Sequence, residues 1–393
     1  MPEPRESLSR SPSLDEAACV DDLARLARRR IPRFAFDFLD GGAGAEIGLR
    51  RNRAALDAIA LLPRYCMPAP ARTETRLLGR DYPLPFGLAP VGLGNLVWPE
   101  ADLTLAALAA EAGIPVVASS AATTSIEQMA AAAPGAWFQL YVARDPDISR
   151  DMLRRARAAE VEVLVVTVDI PVPGKRNRDI RNRLSLPFRP GLGTLFDVLS
   201  RPAWSMATLR RGSPTFANYA PYATGNTRSQ SLARFMAEQI KGDLTWDDVR
   251  ALRDLWPGKM VVKGLLAPED ARAAVELGAD GVWVSNHGGR QLDSAPAPCD
   301  VLPAIRAAVG PSYPLIMDGG VRSGEDIVKA RLRGADFVMT GRCFYYGVAA
   351  GGRAGGSRVI ALLADELRRA LGQIGCPSFA ELDGRWEWRA GEP

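Results

Sequence analysis

From Pro85 onward the apolar and polar positions repeat one unit: a short apolar run, often β-branched, then a loop rich in glycine or polar residues, then a stretch with apolar residues every three to four positions. The apolar runs are PFGLAP (85–90), IPVVASS (114–120), AWFQLYV (136–142), VEVLVVTVD (161–169), KMVVKG (259–264), GVWVSN (281–286), PLIMDGG (314–320) and DFVMTGR (336–342), and they read as strands. Helices are expected after them, for instance over Leu103–Ala112, Ser125–Ala133, Pro268–Leu277 and Gly324–Arg333. Near-continuous apolar strands alternating with helices predict a parallel sheet covered on its outer face, and eight such units close a (β/α)8 TIM barrel. The competing architecture, an open doubly wound sheet, gathers its ligand residues at one switch point. Here nearly every strand ends in glycine or polar residues, which favours the barrel.

Two N-terminal helices are predicted ahead of the barrel. One runs over about 14–30, with Leu23, Leu26 and Ala27 on one face, and ends before Pro32; a shorter one passes through Phe34, Phe36 and Phe38 and stops at Gly41-Gly42. Residues 1–13, rich in proline, serine and charge, are expected to be a flexible tail, and 14–393 a single barrel domain. One interval breaks the rhythm. Residues 170–240, after the fourth strand, show no clear periodicity and far exceed the roughly 2–6 residues of an ordinary βα loop. The insertion begins basic (Lys175, Arg176, Arg178, Arg181, Arg183) and then mixes Trp204, Met206, Phe216, Tyr219 and Tyr222 with Arg201, Arg210 and Arg211. Such a mixture suits contact with an anionic membrane, a lid over the active site, or packing against a second subunit.

Composition narrows the chemistry. The 49 basic and 45 acidic residues leave a net charge of only +4, dispersed along the chain, which gives no concentrated basic face for nucleic acid. His287 is the sole histidine, so zinc sites built on paired histidines are excluded. Five widely spaced cysteines (19, 66, 299, 343, 376), never in C-x-x-C, point to neither a disulfide framework nor a metal site and fit a reducing compartment. With no apolar leader and no run of about 18 apolar residues, a cytoplasmic location is expected, with peripheral attachment to the inner face of the membrane if the insertion binds lipid.

In a barrel, the residues at the C-terminal strand ends face the active site. Read in order they are Gly92, Ser119-Ser120, Gln139 and Tyr141, Thr167 and Asp169, Lys263, His287 and Arg290, Asp318 with Gly319-Gly320, and Gly341-Arg342. After the seventh and eighth strands, DGGVR (318–322) and GR (341–342) offer backbone N–H groups and arginines to a phosphate, although the glycines also suit a plain turn into the next helix. Gly92-Leu93-Gly94 lacks the third glycine of a dinucleotide fingerprint, so nicotinamide binding is not expected. His287 can act as a base near neutral pH, and Arg290, three residues on, presents a planar fork suited to a carboxylate. Asp169 can orient the imidazole, or merely cap its loop.

The motif SNHGGRQLD, with WFQLYV, VTVD followed by GKRNRDIRNR, VVKG, DGGVRSG and TGR, resembles the FMN-dependent L-2-hydroxy-acid dehydrogenases and oxidases, in order, over roughly residues 21–377. The resemblance implies that FMN is the cofactor and that an (S)-2-hydroxy acid is oxidised to the 2-oxo acid. His287 would be the base, Asp169 its partner, and Tyr141 would contact the substrate hydroxyl. Arg176 and Arg290 would hold the carboxylate. Ala89, Pro90, Ser119, Gln139, Thr167 and Ser285 would surround the isoalloxazine, with Lys263 at its pyrimidine edge. Asp318, Gly319, Gly320, Arg322, Gly341 and Arg342 would hold the ribityl phosphate. The family's usual N-terminal tyrosine is replaced here by Phe38, which can pack but cannot donate to the carboxylate.

Gly92 and Ala121 are small where the substrate side chain is expected, so a phenyl group fits, and within the family the segments RPAWSMATLRRG, ALRDLWPGK and VVKGLLAPEDA most resemble the mandelate-oxidising members and the membrane-associated bacterial lactate dehydrogenases. An aromatic or medium-sized acid such as mandelate is favoured, with lactate the alternative. The reduced flavin would pass electrons to a membrane quinone or another partner, with O₂ the rival acceptor. The resemblance also implies a homotetramer. A flavin-binding scaffold without turnover is the non-enzymatic alternative, which the joint presence of His287, Asp169, Arg290 and Lys263 disfavours.

Overall fold

Eight parallel strands form the centre: β1 (Phe86–Leu88), β2 (Val117–Ser119), β3 (Trp137–Tyr141), β4 (Val163–Thr167), β5 (Lys259–Leu265), β6 (Gly281–Val284), β7 (Leu315–Met317) and β8 (Phe337–Thr340). In this computed structural model, which describes residues 13–67, 70–184, 191–212, 214–223 and 229–388, each of β2 to β7 pairs with its successor and β8 pairs back onto β1. A parallel bridge between Leu88 and Val116 closes the ring between β1 and β2. This is the TIM barrel that the sequence pattern predicts. The strands are shorter than the apolar runs because the runs continue into the loops that carry the polar residues.

Alternation along each strand sorts the side chains. Phe138, Leu140, Leu164, Val166, Met260 and Val262 point outward into the large cluster shared with the helices. Trp137, Val163, Val165, Val261, Trp283, Ile316, Phe337 and Met339 form a separate inner cluster, joined by Leu77 and Tyr82 of the hairpin Thr75–Leu77/Arg80–Tyr82. Each fully buried Ile, Phe or Met here contributes roughly 1.5–3 kcal/mol through removal from water. Gln139, Tyr141, Thr167, Lys263, Ser285 and Asp318 fall on the inward-facing register at the C-terminal end. The polar strand ends are therefore the top layer of the barrel filling.

The helices Ala101–Ala112, Ile126–Ala132, Pro268–Glu276 and Gly324–Leu332 lie within two residues of their predicted bounds. The first N-terminal helix is shorter than predicted, Val20–Arg30, and the second, Arg33–Asp40, ends at Gly41. A third, Ile47–Asp57, and the long C-terminal helix Arg342–Ile374, broken at Gly351-Gly352, were not predicted. Of the expected tail, residues 1–12 lie outside the described residues.

The insertion, expected to be aperiodic, is largely helical where it is described: Asn177–Arg181, Leu192–Leu199, Pro202–Arg211 and Ser229–Gln239. Its pattern misleads because Leu192–Leu199 turns no buried face to the barrel. The later part is firmly seated. Phe216 and Tyr219 are buried, and the Asn218 side-chain amide donates to the Ser119 and Thr124 carbonyls and accepts from the Ile126 amide.

Candidate active site

A cavity of about 430 Å³ opens at the C-terminal end of the barrel. Its wall includes Ala89, Pro90 and Gly92 after β1, Ala121 after β2, Tyr141 and Thr167 at the ends of β3 and β4, Lys263 on β5, His287 and Arg290 after β6, Asp318, Gly319, Gly320 and Arg322 after β7, and Gly341 and Arg342 after β8. Phe38 and Arg176 reach the same cavity from the second helix and the insertion. Ser119, Ser285 and Asp169 stand behind the wall, each bonded to a residue that forms it, and Gln139 is bonded in turn to Ser119.

His287 sits between an acid and a phenol. Its Nδ1 lies 2.9 and 3.0 Å from the two Asp169 carboxylate oxygens, and its Nε2 lies 3.3 Å from the Tyr141 hydroxyl. A carboxylate can only accept, so Nδ1 carries a proton, which leaves Nε2, on the Tyr141 side, as the position where the ring can take up or release one. Burial pushes the Asp169 carboxyl up, but the His287 ring and Lys263 outweigh burial and hold it below the ordinary carboxylate value. Space for this aspartate comes from Gly264, where a Cβ would lie 2.6 Å from that of Asp169 and where φ is +108°. Burial pushes the Tyr141 hydroxyl well above its ordinary value, so it stays a protonated donor.

Two guanidinium groups line the same cavity. Those of Arg290 and Arg176 stand 5.3 and 5.8 Å from the centre of the Phe38 ring. Arg290 donates through Nη1 to the carbonyls of Phe38 and Gly41, at 2.8 and 2.7 Å. Burial, then the neighbouring Arg176 and Arg342, pull its pKa well down, so an anion bound here would relieve the crowding of cations. The acid nearest to them is Asp179, whose carboxylate lies 3.3 Å from Arg176 Nε and whose burial raises its pKa despite both arginines.

A second network surrounds Lys263. Its Nζ donates to Ser285 Oγ at 2.8 Å and lies 3.1 Å from Asp318; Ser285 in turn donates to Asp318 at 2.6 Å, as does Trp283 Nε1 at 3.1 Å. Three buried polar groups nearby have no partner: Gln139 Nε2, Thr167 Oγ1 and Arg322 Nη1. Leaving such groups unpaired costs about 1–3 kcal/mol each, which makes these three candidates for ligand contacts. Two amide or hydroxyl groups beside a lysine, with an arginine and glycine-rich turn farther along, match a flavin ring at one end and a phosphate at the other. Arg342 is engaged otherwise than expected: its guanidinium donates to the carbonyls of Leu39, Gly41 and Gly288.

The sequence reading missed part of this wall. Asn52 and Arg53 come from the helix Ile47–Asp57, and Asp179, Phe216, Met236 and Ile240 from the insertion. The insertion residues were within reach, since a lid was one of its three proposed uses. A polar pair inside an unrecognised helix carries no such signal.

Comparison with known proteins agrees with the site. The chain is 40% identical to (S)-mandelate dehydrogenase of Pseudomonas putida over 92% of each chain. It is also 40% identical to L-lactate dehydrogenase of Xanthomonas campestris pv. campestris, strain B100, over 93% of this chain and 96% of the relative. A crystal structure of the monotopic membrane protein (S)-mandelate dehydrogenase superposes with a TM-score of 0.90 at 38% identity, over 94% of this chain and 99% of the other. The profile of the FMN-dependent dehydrogenases matches residues 27–389, and the chain belongs to that family.

Proposed function

We propose that the protein oxidises an (S)-2-hydroxy acid with an aromatic side chain, (S)-mandelate foremost, to the 2-oxo acid. The reading rests above all on the Asp169–His287–Tyr141 chain and the Arg176 and Arg290 guanidinium groups meeting in one cavity. Arg176 and Arg290 bind the substrate carboxylate and Tyr141 donates to its hydroxyl, which sets the α-carbon between His287 and the flavin site. His287 Nε2 takes a proton from the substrate, and the Asp169 carboxylate stabilises the imidazolium formed. FMN, when bound, would supply the acceptor for the two electrons and the remaining hydrogen nucleus, leaving the 2-oxo acid. Gln139 Nε2 and Thr167 Oγ1 would hold its ring, Lys263 would stabilise negative charge at the ring's edge, and Arg322 Nη1 with the Gly319-Gly320 turn would hold its phosphate.

Side-chain selection follows from space and surface. A Cβ at Gly92 would lie 3.3 Å from that of Ala121, so the two small residues together leave room that larger ones would fill. Phe216, Met236 and Ile240 bring apolar surface from the insertion. L-Lactate is the second reading, supported by the equal identity to the lactate dehydrogenase. Steady-state rates decide between them: kcat/KM for (S)-mandelate is expected to exceed that for L-lactate at least tenfold, and the reverse order assigns the enzyme to lactate.

The electrons are proposed to leave for a membrane quinone. The helices Leu192–Leu199 and Pro202–Arg211 expose Leu192, Leu195, Phe196, Leu199, Met206 and Leu209 beside basic residues, a combination suited to the surface of an anionic bilayer. No helix among the described residues is long and apolar enough to cross a membrane. Peripheral attachment at the cytoplasmic face and assembly as a homotetramer complete the proposal, the latter on family resemblance alone.

A further inference from the structure

Ser285 to Gly289 form the turn that presents His287, and the turn is strained. His287 has φ +57°, a left-handed conformation that L side chains avoid, followed by Gly288 at +63° and Gly289 at +72°. A conformation of this kind persists only when its surroundings fix it. The Ser285 hydroxyl accepts from the His287 amide, and the Asn286 side chain accepts from the Gly289 amide and donates to the Pro296 carbonyl. The remaining polar contact of Asn286 lies outside the barrel. Asn52, buried on the helix Ile47–Asp57, exchanges two hydrogen bonds with it, Nδ2 to Oδ1 at 2.9 Å and Oδ1 from Nδ2 at 2.6 Å.

The next residue on that helix grips the turn after β7. Arg53 Nη1 donates to the Gly320 carbonyl and to the Asp326 carboxylate, both at 2.6 Å, and that carboxylate also accepts from the Arg322 and Ser323 amides. The fit is close: a Cβ on Gly320 would lie 2.6 Å from the Asn52 carbonyl oxygen. We infer that Asn52 and Arg53 are positioning residues that tie the catalytic-base turn and the phosphate turn to one helical turn, so that each turn's geometry depends on the other. The inference rests on the roles proposed above for His287 and Arg322. Neither Asn52 nor Arg53 acts on the substrate. Asn52 keeps Nε2 of His287 aimed into the cavity, and Arg53 keeps the Gly319–Arg322 backbone open for an anion.

Three variants test this, each compared by thermal melting, by FMN dissociation constant from the fluorescence of released FMN, and by the anaerobic rate of flavin reduction at saturating FMN and (S)-mandelate. Asn52→Ala is expected to slow reduction and to weaken FMN binding at least tenfold each, with KM within about twofold of wild type. Asn52→Asp keeps the bond accepted from Asn286, loses the one donated, and is expected to fall between; it also serves if the alanine variant does not fold. Leu56→Ala, a buried apolar truncation on the same helix, is expected to lower the melting temperature alone. If the Asn52 variants behave like Leu56→Ala, the inference is overturned. A His287→Gln variant separates the two readings: unimpaired reduction there overturns the proposed function, whereas its loss together with normal Asn52 variants overturns only this inference.

Discussion

Phe38 lies against both guanidinium groups proposed to bind the substrate carboxylate, yet its ring has nothing to donate. A cation over an aromatic face is worth about 0.5–2 kcal/mol, whereas a hydrogen bond to a charged group is worth about 1.5–3 kcal/mol. Phe38→Tyr is therefore expected to lower KM for (S)-mandelate about tenfold with little change in kcat; an unchanged KM would show that the hydroxyl does not reach the carboxylate. Asp169 acts through His287. Asp169→Asn leaves an amide where the imidazole needs an acceptor, and kcat is expected to fall about 10²–10⁴-fold. A fall below tenfold would remove Asp169 from the mechanism. The histidine, aspartate and arginine were legible as residues, because barrel geometry places strand ends around one site. The reach of Asn52 to Asn286, 234 positions away, is tertiary and left no local pattern.

At the scale of elements, the seating of the insertion depends on Arg155 of the helix Pro146–Ala158. Its guanidinium pairs with Glu127 at 2.8 and 3.0 Å and also reaches the Asn218 backbone and side-chain oxygens and the Tyr222 hydroxyl. The pairing with Arg155, acting against partial burial, holds the Glu127 carboxyl down at about 2. A carboxyl lowered from its unfolded value of about 4.3 stabilises the fold fully above that value, and the contribution is lost as pH falls toward 2. Glu127→Gln is expected to lower the melting temperature at pH 6 and to differ less from wild type as pH falls through this window. A gap that stays constant with pH would show that the pair contributes nothing. Helix and strand order in the barrel could be read from periodicity, since those elements bury one face. The insertion's helices could not, because Leu192–Leu199 and Pro202–Arg211 direct apolar residues outward and Asn177–Arg181 spans only five residues.

For the molecule as a whole, the exposed apolar residues and part of the active-site wall belong to one insertion, with Leu192, Leu195, Phe196, Leu199, Met206 and Leu209 exposed and Phe216, Met236 and Ile240 lining the cavity. Vesicles containing phosphatidylglycerol are expected to sediment the protein, and Leu195→Glu combined with Phe196→Glu to reduce the bound fraction at least tenfold while flavin reduction by (S)-mandelate continues. Equal binding by the double variant would refute docking through this surface. The central claim is that one cavity holds FMN and a 2-hydroxy acid, with the acid between His287 and the flavin site. Its most direct test is the visible spectrum of the purified, FMN-loaded protein, titrated with (S)-mandelate in the absence of oxygen. The account predicts flavin bands that bleach on addition of the acid and persist in His287→Gln; a protein that takes up no FMN, or whose bands bleach equally without His287, would contradict it.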